Sequence, residues 1–301
     1  MPSPLALSAL VLPDRHPPAQ FVADVRAAEQ AGVRTVWTYD HLTWPLLQDG
    51  PWYTCVPLLA AASMATERVR LGIQVATPNY RHPVLFGKEL MTLDQLCAGR
   101  LEVGLGAGVD GADALVLGDP PRSNRERFER FAEWVTLLDE LLRTPVTTFR
   151  GRFYSAVEAR TIPNCVQQPR VPFTIAASGP RGFGVVAAQG QAWVTYGPWD
   201  SRGVEGDAWF AALTEQAHRV DDALAAAGRD PGSLRRIAQF ALRVQWPFES
   251  AERYADVVGR LGAAGFHEIT VHWPREDGRG LPRAALDSVV DVHADQSTNA
   301  V

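Results

Sequence analysis

Apolar positions along this chain follow two alternating rhythms. Short runs rich in apolar and β-branched residues read as strands: Leu5–Leu10, Val33–Tyr39, Arg70–Val75, Leu101–Gly104, Pro172–Ala176, Ala192–Tyr196, Ile237–Gln245 and His267–His272. Between them apolar residues recur every three or four positions, the helical period. Gln20–Ala31 puts Phe21, Val25 and Ala28 on one face and stops at Gly32. Val56–Thr66, Pro83–Cys97, Asn124–Arg143, Pro180–Ala188, Glu205–Ala227, Ala251–Ala264 and Leu281–His293 read the same way. Pro83 and Pro180 sit in first turns, and Gly228 and Gly265 close their helices. Residues 144–170 break the rhythm. There Thr147–Phe149 and Arg152–Tyr154 flank Arg150-Gly151, which predicts a hairpin, and Pro163 and Pro169 follow.

Eight strands alternating with helices predict an α/β fold, a (β/α)8 TIM barrel forming one domain over residues 1–301, with a hairpin excursion around residues 144–170. An open doubly wound sheet calls for a glycine-rich turn after the first strand. Leu12–Pro18 contains no glycine. Composition supports a soluble enzyme-sized core: 46% of the 301 residues are hydrophobic. The net charge of -5 and the lack of any long basic tract argue against nucleic acid or a membrane surface as partner. No apolar run approaches the ~18 residues of a membrane span. The N-terminal run reads as a first strand, not a leader, so a cytoplasmic setting is expected. Cys55, Cys97 and Cys165 are far apart and lack metal or disulfide spacing, so each is expected to be a small buried side chain. His267 and His272 have no carboxylate at ligand spacing, and no metal site is expected.

In a parallel barrel the carboxyl ends of the strands face the ligand. The second strand ends in Asp40-His41, followed by Trp44. Histidine moves protons near neutral pH, and the aspartate can orient it or bond a ligand; a loop hydrogen-bond pair explains the same residues. The third strand ends in Gln74-Val75-Ala76-Thr77-Pro78, and the fourth runs into Gly104-Leu105-Gly106-Ala107-Gly108. Alternating glycines permit close backbone approach or positive φ, but the segment lacks the GK[ST] ending of a nucleotide-binding P-loop. The fifth strand ends in Ala176-Ala177-Ser178-Gly179-Pro180-Arg181. The N–H groups of the helix that follows, with Ser178 and Arg181, form a candidate phosphate cradle, and Ser178 as N-cap is the plainer reading. Trp44 and Trp199 lie where they could wall a pocket for a planar ligand.

These strand ends, in this order, resemble the luciferase-like monooxygenase superfamily. The branch they resemble uses the deazaflavin coenzyme F420 and includes glucose-6-phosphate dehydrogenases of that type. The matching stretches are Val36–His41, Arg70–Gly72 through Thr77-Pro78, Thr92–Leu96 with Gly99–Gly108, Arg125–Phe128, and Val171-Pro172 through Pro180. The resemblance implies a barrel with a flavin-like ring at its mouth and a non-prolyl cis peptide at Gln74–Val75 behind the ring. It implies that Asp40 meets the ring's polar edge. Gln74, Val75 and Ala76 would back the ring, and Ala107, Gly108 and Ala176, Ala177, Ser178, Gly179 and Pro180 would hold the tail. His41, with Asp40, would manage the proton. It also implies a homodimer. The sugar-phosphate dehydrogenases carry Glu just after the G-x-G segment, where this chain has Val109, and no basic cluster surrounds Tyr196–Trp199. An organic substrate that is small and largely uncharged is therefore expected. The alternatives are an FMN-dependent monooxygenase of the same superfamily and a non-catalytic flavin-binding sensor barrel.

Overall fold

Eight of the apolar runs lie side by side in parallel and close on themselves. The computed structural model describes residues 5–108, 112–197 and 204–298. In chain order its elements are β1 (Ala6–Leu10), α1 (Pro18–Gln30), β2 (Thr35–Thr38), α2 (Cys55–Ser63), β3 (Arg70–Ala76), α3 (Pro83–Leu96), β4 (Leu101–Leu105), α4 (Ala112–Val116), α5 (Asn124–Arg143), β5 (Val146–Arg150), β6 (Ser155–Arg160), β7 (Phe173–Ala176), α6 (Pro180–Gln189), β8 (Ala192–Thr195), α7 (Gly206–Ala226), β9 (Arg235–Gln239), α8 (Ala251–Ala263), β10 (Glu268–His272) and α9 (Leu286–Thr298). The barrel order is β1-β10-β9-β8-β7-β4-β3-β2 and the ring is closed, the expected (β/α)8 TIM barrel. No described helix is long and apolar enough to cross a membrane.

Period-two alternation sends strand residues to two faces, one packed on the helices and one filling the barrel. Outward residues such as Val36, Ile73, Val103, Phe173 and Ile175 pack with helix residues including Phe21, Phe86, Phe131 and Trp134. Inward residues Leu10, Trp37, Tyr39, Val194 and Ile237 fill the barrel itself. The three cysteines are buried and free, as expected. The excursion is an antiparallel hairpin of β5 and β6. Glu133 on α5 holds its turn by accepting from the backbone N–H groups of Arg152, Phe153 and Tyr154 at 2.9, 2.8 and 2.7 Å. The second arm begins at Ser155, three residues later than expected, because Arg152–Tyr154 form that anchored turn.

Three expectations need correction. The strand expected at Ile237–Gln245 is β9, and it ends at Gln239. It starts earlier because Arg235 and Arg236 belong to the sheet, with Arg235 paired inside the barrel's N-terminal end. The last helix, expected from Leu281 to His293, runs from Leu286 to Thr298, after Pro282 and a single 3-10 turn at Arg283–Ala285. A short helix, α4, stands where none was expected.

The N-terminal end of the barrel is closed by charge. Glu102 is 1% exposed and accepts from Arg70 Nε at 2.7 Å and from both terminal nitrogens of Arg235. Glu268, fully buried, takes Arg34 at 2.7 Å and the Ser8 hydroxyl at 2.6 Å. Burial pushes the Glu102 carboxyl up, but the Arg235, Arg70 and Arg34 guanidiniums together hold it below its ordinary range. Removing one member leaves buried charge uncompensated, which costs about 3–5 kcal/mol. Glu102→Ala is expected to lower the urea-unfolding free energy by about 3 kcal/mol at pH 7. A carboxyl with a lowered folded pKa stabilises above its unfolded value and loses that contribution in acid. The gap between wild type and variant should therefore shrink as pH falls below 4.5, the ordinary value for Glu, and a gap that is constant from pH 7 to 3 contradicts this account.

Candidate active site

The site begins with a break in β3. Its pairing with β4 shifts register between Ile73 and Ala76, and the Gln74–Val75 peptide is cis, as the resemblance implied. Gln74, which is 1% exposed, reaches across the barrel axis to Gln239 on the opposite strand. Val75 is half-buried at the strand end, while Ala76 is buried in the outer core and its carbonyl accepts from Gly106 N at 3.0 Å. The facing strand must make room. A Cβ at Gly104 would lie 2.4 Å from the Ile73 carbonyl, and one at Gly106 would lie 2.7 Å from a Val75 methyl. These glycines, read from sequence as allowing ligand approach, thus accommodate the Val75 bulge. Gly108 has φ +73° with Asn79 packed against it, so the positive φ foreseen in this segment falls there.

The two halves of Asp40-His41 have different surroundings. Asp40 is 1% exposed. Its carboxylate accepts from Arg81 Nη2 at 2.8 Å, Arg81 Nε at 3.1 Å and Cys55 Sγ at 2.9 Å, and Tyr80 also bonds it. Arg81 continues to Glu89 at 2.7 Å. Burial pushes the Cys55 and Tyr80 protons toward higher pKa, reinforced by the Asp40 charge, so both stay protonated as donors. The His41 side chain is 26% exposed. Its Nδ1 lies 2.7 Å from Oδ2 of Asp113 on α4, and Asp113 Oδ1 accepts from Leu42 N, also at 2.7 Å. Sequence reading missed Asp113. No sequence signal marked it: it lies in the first turn of α4, a helix the pattern did not predict, 72 residues from its partner.

A neutral polar layer fills the barrel below. Tyr39 Oη pairs with His272 Nε2 at 2.9 Å, and Tyr39, Tyr196 and Gln239 hydrogen-bond one another. Burial, helped by the Arg275 charge, pushes His272 down to about 3, and burial raises both tyrosines. Above lie Trp44, 5.1 Å from the Tyr39 ring, and Trp52, 5.8 Å from Trp44. Tyr196 is 39% exposed, and its hydroxyl joins the layer through Tyr39 and Gln239. Trp199, expected as a pocket wall, and Val109 lie outside the described residues.

At the end of β7, α6 begins with Pro180 at its first position. Its N-cap is Gly179, with no side-chain cap bond, so Ser178 is exposed and does not cap the helix. Nothing lies within 4 Å of where a Gly179 Cβ would sit. Free helix N–H groups, an open approach and the exposed Arg181 suit an anion such as a phosphate-bearing tail.

The family model described as luciferase-like monooxygenase matches residues 5–296. An F420-dependent glucose-6-phosphate dehydrogenase from Beutenbergia cavernae is 34% identical over 214 residues, covering 70% of this chain and 62% of that protein. The match therefore spans less than two thirds of this curated relative. Among solved structures, an F420-dependent secondary alcohol dehydrogenase in complex with an F420–acetone adduct superposes with TM-score 0.79 at 17% identity, covering 96% of this chain and 98% of that one. A long-chain alkane monooxygenase superposes with TM-score 0.78 at 11% identity over 100% of this chain and 93% of that one. These structural likenesses show the shared barrel.

The layer below the mouth makes a pH prediction. A buried histidine held neutral stabilises above its unfolded value, 6.5, and loses that contribution as pH falls toward its folded value of about 3. Between pH 6 and 4, wild-type unfolding free energy should fall by up to about 1.4 kcal/mol per pH unit more than that of His272→Asn. Parallel curves in chemical denaturation would remove His272 from the account.

Proposed function

The chain belongs to the luciferase-like monooxygenase family, and from that premise we propose that it is an oxidoreductase using the deazaflavin coenzyme F420. Its substrate in this reading is a small, largely uncharged organic molecule. The observation that carries the proposal is the juxtaposition at one barrel mouth of a half-exposed imidazole, the Val75 bulge and an uncapped helix N-terminus. Such a mouth suits a planar ring with an anionic tail and a group that moves a proton beside it.

The residues present fit the coenzyme. Gln74, Val75 and Ala76 would back the ring, with Ala76 contributing backbone only. Asp40, fixed by Arg81, would belong to the wall at the ring's polar edge. Ala107, Gly108 and the stretch Ala176 through Pro180 would hold the tail, the helix N–H groups bonding phosphate oxygens. When bound, a deazaflavin supplies a two-electron hydride acceptor or donor. His41 Nε2 would take the proton of a substrate hydroxyl when the carbon bearing that hydroxyl is oxidised, and would return a proton in the reverse direction. Trp44, Tyr196 and the neutral Tyr39–His272 layer line the substrate side and exclude water. Arg81, Arg275 and Arg15 are all paired with carboxylates, which supports an uncharged substrate. Arg243 is exposed on the loop after β9, so the substrate panel should include phosphorylated compounds. The same reading makes the protein a homodimer, which light scattering tests.

Absorbance titration with F420 and with FMN tests the cofactor. Micromolar binding of F420 and not FMN is expected; preference for FMN with oxygen uptake would assign the monooxygenase alternative. His41→Ala should lower turnover by about 10²- to 10⁴-fold while leaving coenzyme affinity within about threefold. Turnover at the wild-type rate in that variant would end the proton assignment, and tight binding without turnover on any substrate would point to a sensor.

A further inference from the structure

We infer that Asp113 is a positioning residue for His41, fixing the imidazole tautomer so that Nε2 is the bare, proton-accepting nitrogen at the mouth. The inference rests on the proposed use of His41 and extends it to a residue that neither the motifs nor the family resemblance points to.

The two oxygens of Asp113 do separate jobs. Oδ1 accepts from Leu42 N at 2.7 Å and reaches Thr43 N at 3.5 Å, tying down the loop after β2. Oδ2 lies 2.7 Å from His41 Nδ1. A carboxylate offers only acceptors, so Nδ1 carries the hydrogen. A neutral ring protonated at Nδ1 leaves its lone pair on Nε2. Exposure agrees with this division: the Asp113 side chain is 5% exposed and the imidazole 26%, so the edge reachable from the mouth belongs to the ring. A second partner for the ring is absent among the hydrogen bonds of the described residues, so Asp113 alone selects the tautomer there.

A purely structural role would need only Oδ1. This makes Asp113→Asn the informative change. It keeps Oδ1 for the Leu42 N–H but puts an amide donor where Oδ2 stood. The ring must then turn an acceptor toward it, which places the proton on Nε2 and blocks its work as a base.

The test uses full-length protein and two readouts. In ¹⁵N spectra of the coenzyme-free protein at pH 8, wild-type His41 should be protonated at Nδ1, and Asp113→Asn should reverse the tautomer. In steady-state kinetics Asp113→Asn should lower kcat about 10- to 100-fold with KM and coenzyme affinity within about threefold, and Asp113→Glu should restore most of the rate. An unchanged tautomer in Asp113→Asn, or a reversed tautomer with wild-type kcat, overturns the inference. A fully active His41→Ala instead overturns the reading beneath it, and the two failures are told apart because the tautomer readout needs no turnover.

Discussion

The rest of the site depends on the point where β3 leaves its register with β4. Val75 pushes out of the strand there, and its methyl occupies the space a side chain at position 106 would need. The facing strand can run past only because it carries glycine at 104 and 106. Close packing makes the fit strict: a methyl at 106 must displace the Val75 side chain, and one at 104 must displace the Ile73 carbonyl. The result is a firm wall at the barrel mouth, with the strand ends of β2, β4 and β7 arranged around it. Asp40-His41, the glycine turn and the start of α6 are functional candidates because that wall gives them something to face.

Charge and polarity are layered along the barrel axis. Ionised pairs close the N-terminal end, where Glu102 and Glu268 meet arginines. Uncharged polar groups occupy the level below the mouth, where burial keeps His272, Tyr39 and Tyr196 neutral. At the rim the charges return, but Asp40 and Arg81 are consumed by each other and by Cys55, Tyr80 and Glu89. Among the described residues, His41 is an imidazole that is partly exposed and held in a defined orientation by Asp113. Such an arrangement favours moving one proton beside a bound ring over gripping a highly charged substrate.

Much of this was legible in the sequence because both periods are strong in it. Apolar runs and glycine or proline stops located the strands and most helices, and the strand ends pointed to the mouth. The failures have physical causes. Arg235 and Arg236 do not look like strand residues, since the pairing that admits Arg235 to the barrel comes from Glu102, 133 residues away. Leu281 and Leu286, which read as one apolar helix start, bracket a proline-led turn. Gly104 and Gly106 were legible as special positions but not as partners of Val75, because the bulge that needs them belongs to another strand. Asp113 was invisible for the same reason: its contact with His41 exists only once the barrel has closed. Sequence shows which residues have chemistry; closure decides which of them meet.

The central claim is that the Val75 wall positions the coenzyme ring. Its most direct measurement is the F420 affinity of Gly106→Ala, taken on protein whose circular dichroism shows an intact barrel. The added methyl must move Val75, so the account predicts affinity at least about tenfold weaker than wild type. Wild-type affinity in that variant would contradict it.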